Sequence, residues 1–300
     1  MSQVHYRVQD GVAVLTIENP PVNAASQAVR AGIVEGLRRA AADASTRAVV
    51  LIGSGKTFIA GADIREFNQP QQAPLFPEVL AALENSSRPV VAALHGTALG
   101  GGLEFSMACH YRVGLGSVKL GLPEVNLGLL PGGAGTQNLP RLIGPDKALD
   151  MILSGKPIGA EEGFKLGLLD KVIAGKTQEE LETGAIAFAL ERAASGATHP
   201  RVRDRSDKIR NVDPAIFSEI RQKNAKKWNG QLAQWKIVDC VEAACSKSFE
   251  DGIEFERARF MELRSSAQSK ALRYAFFAER EAPKIPGLPA DVKPREIRSA

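Results

Sequence analysis

The stretch Pro89-Val90-Val91-Ala92-Ala93-Leu94-His95-Gly96-Thr97-Ala98-Leu99-Gly100-Gly101-Gly102-Leu103-Glu104 decides the fold class. Its opening apolar run is too short for a helix and reads as a strand buried on both faces. The glycine triplet then starts a helix, running to His110, that carries Glu104 in its first turn. Amides of a first helical turn lack intrahelical partners and sit at the positive end of the dipole. Glycines there let a ligand oxygen reach the backbone without meeting a Cβ. The same residues serve equally as a tight strand-to-helix packing joint, with the glutamate favoured by the dipole.

Working outward, the pattern repeats. His5–Val8 and Val12–Ile17 flank Asp10-Gly11, a strong hairpin dipeptide. A helix-period stretch runs from about Ser26 to Ala42, then the continuous strand Ala48–Ile52, ended by Gly53. A helix near Pro74–Asn85 precedes the quoted strand, and a third strand lies at Tyr111–Val113. Buried strands alternating with helices predict an α/β sheet covered on both faces. From Asp146 onward the chain reads as helices near 146–153, 178–192, 214–228, 235–247, 249–263 and 270–280, interrupted by a short strand at Asp170–Ile173. The expected organisation is a catalytic core over 1–195, a C-terminal helical region over 196–280 packed on it, and a Pro-rich linker or tail over 281–300.

Composition narrows the function. Hydrophobic residues make up 44% and charged residues 24%, which is ordinary for a globular chain and excludes wholesale disorder. No export leader follows Met1 and no run approaches ~18 apolar residues, so the expectation is an intracellular protein without a membrane span. The location would be cytoplasmic in a bacterium, or peroxisomal or mitochondrial in a eukaryote. The 3 cysteines form no C-x-x-C pair and the 4 histidines lack ligand spacing, so no metal is expected. The basic stretch Arg201–Lys227 reads as a solvated helical face, or as attraction for a polyanion.

Nucleotide motifs fail on inspection. Gly55-Lys56-Thr57 and Gly175-Lys176-Thr177 end like P-loops, but Val50 and Asp170 stand where the first glycine belongs. Phe58 and Asn138 occupy the third glycine position of the two G-x-G starts, and no G-x-S-x-G elbow occurs. What remains is a pair of glutamates, Glu104 and Glu124, the latter in Leu122-Pro123-Glu124, followed by Pro131-Gly132-Gly133-Ala134-Gly135-Thr136-Gln137. A second loop, Thr57–Ile64, brings small residues and the helix-cap candidate Asp63 to a strand's carboxyl end, where open α/β sheets collect ligands. Two such loops supplying one amide each make an oxyanion hole. With carboxyls nearby to move protons, the pattern points to chemistry on a carbonyl compound.

Three motifs in order carry a resemblance: Ala60-Gly61-Ala62-Asp63-Ile64, Gly96-x3-Gly100-Gly101-Gly102-x-Glu104, and Leu122-Pro123-Glu124-x7-Gly132. Over about residues 10–175 the chain resembles the crotonase (enoyl-CoA hydratase/isomerase) superfamily. The stretch Ser266–Arg280 resembles the connecting helix of multifunctional β-oxidation enzymes, in which a 3-hydroxyacyl-CoA dehydrogenase part follows. Here the chain ends before any dinucleotide fingerprint, as in a truncated multifunctional enzyme or a stand-alone homologue.

The resemblance implies a crotonase-like ββα-superhelix core and an acyl-CoA substrate, with no cofactor beyond the coenzyme A of the substrate. It places the thioester oxygen between the amides of Ala62 and Gly101, with Gly132 binding the attacking water. Glu104 becomes the base and Glu124 the acid of an enoyl-CoA hydratase, and the same enolate permits Δ3-Δ2 isomerisation. Ala60, Asp63 and Ile64 are the implied coenzyme A contacts, with Lys56 and Arg65 as weaker candidates. Asn138 departs from the family, standing where an arginine commonly follows Gly-Thr-Gln, which puts a local polar contact in doubt. Self-association or a dehydrogenase part are the implied partners, and nucleic acid is not expected. The competing non-catalytic reading is an interaction or RNA-binding module working through the basic helices, against which both glutamates stand. Dehalogenation and thioester hydrolysis lack an identifiable nucleophile.

Overall fold

A computed structural model describes residues 3–196, 198–282 and 292. Strands β1 (Val4–Gln9) and β2 (Val12–Ile17) form the expected hairpin, with Asp10 at φ 53° and Gly11 at φ 77° making the mirror-image turn such hairpins favour. Helix α1 (Gln27–Ala42) starts where Ser26 accepts the Val29 amide. It leads to β3 (Ala48–Gly53), then α2 (Phe76–Glu84), β4 (Val90–Leu94), the short β5 (Thr97–Leu99), α3 (Gly101–Ala108) and β6 (Tyr111–Leu115). Next come β7 (Lys119–Gly121), a 3-10 turn at Glu124–Leu127, α4 (Gly135–Ile143), α5 (Pro145–Ser154), β8 (Ile158–Gly159), α6 (Ala160–Leu166), β9 (Lys171–Ile173) and α7 (Gln178–Ala194). Helices α8 (Ala215–Asn224), α9 (Ala233–Ser246), α10 (Phe249–Ser265) and α11 (Ala267–Glu281) complete the described chain.

The main sheet has 6 strands in the order β1-β2-β3-β4-β6-β9, parallel except for the hairpin. Alternation along each strand sorts side chains onto two buried faces. Leu15, Leu51, Ala92 and Leu94 join the core beneath α1, α2 and α3. Val14, Val50, Val91 and Val113 join a second core closed by Leu181, Ala185 and Phe188 of α7. The two-faced burial expected from the apolar runs is what the structure shows.

A second sheet, with 3 strands in the order β5-β7-β8, was not expected, nor were α4 and α6. Its strands are two or three residues long and pair only across distant sequence, so no local periodicity marks them. Arg112 is likewise unexpected: a fully buried guanidinium in the middle of β6. It donates to the carbonyls of Ser106, Cys109 and Leu168 and to Asp170 Oδ2, tying the end of α3 to the approach of β9.

The C-terminal helices pack on the preceding part of the chain. Helices α9 and α10 both pack on α4, and α11 packs on the 3-10 turn that begins at Glu124. Of the expected Pro-rich tail, residues 283–291 and 293–300 lie outside the described residues.

Candidate active site

Two loops are brought side by side by an isolated parallel bridge, Ile59 to Ala98. The Leu99 amide donates to the Ile59 carbonyl at 3.1 Å, and a side chain at Gly102 would lie 2.1 Å from that carbonyl oxygen. Counting three residues along both chains sets Ala62 opposite Gly101. A methyl at Gly101 would indeed stand 3.0 Å from the Ala62 nitrogen. Neither amide donates a hydrogen bond within the described residues. Gly101 is the first residue of α3, where the helix itself offers no acceptor. The two expected oxyanion donors are therefore neighbours with unspent N–H groups.

Glu104 sits in the first turn of α3, buried at 3% exposure. Its Oε1 accepts the amides of Gly133 at 2.7 Å and Gly135 at 3.1 Å. Burial pushes its pKa up to about 7, opposed by those two bonds. Glu124 opens the 3-10 turn, and a side chain at Gly100 would meet its Oε1 at 2.9 Å. Gly100 adopts φ 51°, so that position excludes a side chain on conformation as well as on space. Glu124 Oε2 is sealed from solvent without a hydrogen-bond partner among the described residues. Burial first, and the nearby Glu104 charge second, hold the Glu124 carboxyl well above the usual carboxylate range. The structure thus gathers both predicted glutamates and both predicted amides around α3.

Gly132 lies one residue before the amides that Glu104 takes. A side chain there would be 2.4 Å from the Phe260 ring of α10. Ala60, Asp63 and Ile64 line the loop beside the amide pair. The Ala60 amide is spent on the Val22 carbonyl, and Asp63 caps the turn Ile64–Asn68 while pairing with Arg65. Asn138 is fully buried and neither side-chain polar atom has a partner among the described residues, so the expected departure does leave a local contact unmade.

Two further groups escaped the sequence reading. Phe76, at the start of α2, stacks on Phe105 with centroids 4.4 Å apart and reaches between Gly101 and Gly133. Glu256, on α10, is 1% exposed and accepts the amides of Ala134 and Thr136 behind the same loop. Meanwhile four basic residues of the Arg201–Lys227 stretch are engaged internally. Arg201 holds Asp204, Arg203 holds Glu84 and Glu250, Arg221 holds Asp239 and Glu242, and Lys208 donates to the carbonyls of Leu142 and Leu166.

Residues 7–208 match the family model described as enoyl-CoA hydratase/isomerase. The chain belongs to that family. Among curated members, the peroxisomal bifunctional enzyme of Cavia porcellus is 44% identical over 285 residues, covering 93% of this chain. The fatty acid oxidation complex subunit alpha of Shewanella loihica is 40% identical over 315 residues, covering 97% of this chain. This chain spans only 38% and 43% of the length of those two relatives. Among solved structures, an enoyl-CoA hydratase/isomerase from Pseudoalteromonas atlantica superposes with TM-score 0.68 at 25% identity, covering 92% of this chain and 97% of that one. Carnitinyl-CoA hydratase from Mycobacterium avium gives TM-score 0.67 at 26% identity, covering 93% and 97%. The expected crotonase-like fold is the fold of this enoyl-CoA hydratase/isomerase family chain.

Proposed function

We propose that the protein is an enoyl-CoA hydratase that adds water syn across a 2-trans-enoyl-CoA, giving a 3-hydroxyacyl-CoA in fatty-acid β-oxidation. The observation that carries this reading is the convergence of two carboxyls with raised pKa values, Glu104 buried and Glu124 half-buried with Oε2 sealed from solvent, beside a pair of unspent amides. The thioester oxygen lies between the Ala62 and Gly101 amides, which draws electron density from the C2=C3 bond and holds the enolate. Glu104, ionised near neutrality, takes a proton from water as its oxygen bonds to C3. Glu124, which burial and the Glu104 charge keep protonated, delivers its proton to C2. Two coupled carboxyls whose environments differ in hydrogen bonding can divide the roles of base and acid. Proton transfer back from Glu104 to Glu124 resets the pair. Gly132 completes the water site, and coenzyme A runs past Ala60, Asp63 and Ile64.

The same enolate supports movement of a 3-enoyl double bond to position 2, with Glu124 shuttling the proton. No cofactor enters beyond the coenzyme A of the substrate. We divide the chain into a core over 1–195 and a helical region over 196–280, followed by the tail from 281. Relatives named as a peroxisomal bifunctional enzyme and a fatty acid oxidation complex subunit alpha support a reading of the chain as the hydratase part of a multifunctional enzyme, in the cytoplasm of a bacterium or the peroxisome or mitochondrion of a eukaryote. Turnover of enoyl-CoAs of several chain lengths, with 3-enoyl isomers included, tests the reading. Hydration of at least one 2-enoyl-CoA supports it, and inertness towards all of them rejects it.

A further inference from the structure

Glu256 lies more than 150 residues along the chain from Glu104, yet the two divide one loop between them. The Gly133 and Gly135 amides donate to Glu104, whereas the Ala134 amide donates to Glu256 Oε1 at 2.8 Å and the Thr136 amide to Oε2 at 3.0 Å. The Thr136 hydroxyl adds a further bond to Oε2. Successive amides therefore point to opposite sides of the loop. This alternation passes through Ala134, whose φ of 67° is a conformation that residues with a Cβ seldom adopt. Such a residue persists only where its surroundings over-determine it, and the bond from its amide to Glu256 is one such restraint.

The approach of α10 to this loop is built for the purpose. Gly252 stands one turn before Glu256 on the same helix face. A side chain at Gly252 would lie 2.2 Å from Gln137 Oε1, so the bare position leaves room for the Gln137 carboxamide where the two helices meet. Gln137 Nε2 in turn donates to Thr136 Oγ1 and to the Cys240 carbonyl, fixing the far side of the joint to α9. No lysine or arginine pairs with Glu256 among the described residues. An unpaired buried carboxyl is a costly way to hold two helices together, which an amide or an apolar contact would do with less desolvation.

We propose that Glu256 is a positioning residue for proton transfer at Glu104: it clamps the loop 131–136 from behind and thereby sets the direction of the two amides that aim the Glu104 carboxylate. The inference rests on the reading of Glu104 as the base. It also ties the C-terminal helices to the reaction through a named bond. The ionisable groups facing Glu256 are Glu104 from α3, Glu124 from the 3-10 turn and the Cys240 thiol from α9. Burial foremost, then the Glu104 charge, pushes Glu256 up to about 8, so ionisation of either carboxyl opposes that of the other.

Glu256→Gln keeps the size of the side chain but presents an amine hydrogen to one of the loop amides, losing at least one bond. With the fold checked by circular dichroism, kcat for crotonyl-CoA hydration falls about tenfold or more, because small displacements of a reacting group are expensive. KM changes by less than about twofold, since coenzyme A binding is untouched. In protein carrying 13C-carboxyl glutamate, the Glu104 resonance (assigned with Glu104→Gln) titrates at higher pH in the variant, because the loosened loop weakens the Gly133 and Gly135 bonds that hold its pKa down. A folded Glu256→Gln protein with unchanged kcat and an unchanged Glu104 titration overturns the proposal. Should that variant not fold, Thr136→Val removes one bond to Glu256 and leaves the carboxyl in place. A smaller fall in kcat in the same direction supports the proposal, and no change in kcat or titration overturns it. If the unaltered protein hydrates no enoyl-CoA, the functional reading fails while the Glu104 titration still decides whether Glu256 positions it.

Discussion

Glu104 and Glu256 share a single loop by taking alternate amides from it, Gly133 and Gly135 on one side and Ala134 and Thr136 on the other. Both carboxyls are buried, and neither has a cationic partner among the described residues. Backbone dipoles supply what a lysine or arginine would supply elsewhere, which leaves Glu104 ionisable near neutrality without locking it into a salt bridge. A base trapped against a cation would have its pKa depressed and would grip the water proton weakly.

The pH dependence follows from these environments. Glu104 works deprotonated, so kcat rises as pH climbs through about 7. Glu124 works protonated and is held well above the usual carboxylate range, so kcat falls again once it ionises. The pair titrates as a unit, and the result is a bell-shaped profile whose limbs belong to both carboxyls. A kcat profile measured from about pH 5 to about pH 10 checks it, and a flat acid limb speaks against Glu104 as base.

Gly133→Ala should disable the site without unfolding the protein. The added methyl would lie 2.6 Å from Glu104 Oε2 and 2.4 Å from the Phe76 ring, so the carboxyl must turn away. We expect kcat to fall by ~10²-fold, the scale for a misplaced reacting group. Steady-state kinetics together with thermal unfolding separate this from general destabilisation.

Phe76 fills the room between Gly101, one of the two oxyanion donors, and Gly133, whose amide Glu104 takes, so it borders the reacting carbons of the proposed substrate. Phe76→Ala opens that room, so longer enoyl chains gain relative to crotonyl-CoA. A shift of roughly tenfold in the ratio of kcat/KM values is expected, the scale for a few methylenes in an apolar pocket. Competition assays between two chain lengths read it directly.

Arg112 gives a stability prediction. Arg112→Met leaves the carbonyls of Ser106, Cys109 and Leu168 without their donor and Asp170 without its cation. Breaking a buried charge network in this way costs about 3–5 kcal/mol. Urea unfolding should show the loss as a lower midpoint with an unchanged slope.

Much of this was legible in the chain because the signals were local. The strand runs Ala48–Ile52 and Val90–Leu94, the hairpin at Asp10-Gly11 and the helix from about Ser26 to Ala42 all act through neighbouring residues, and all stand where expected. Helix α4 escaped because it opens on Gly135 and contains Pro140, both poor helix formers, and is held by packing against α9 and α10. Glu256 escaped for another reason. It sits between Phe255 and Arg257 on a helix rich in charge, where it looks like one more solvated glutamate. Only Gly252, a turn earlier, hinted that this face packs closely on another helix. Short strands β5, β7 and β8 exist through pairing alone, which no window of sequence contains.

The most direct measurement is steady-state hydration of crotonyl-CoA by the unaltered protein, Glu104→Gln and Glu124→Gln, each with its fold verified. The account predicts measurable turnover by the first and a loss of at least ~10²-fold in each variant, the scale of a lost proton-transfer group. Near-normal turnover in either folded variant would contradict the role given to that carboxyl, and with it the division into base and acid.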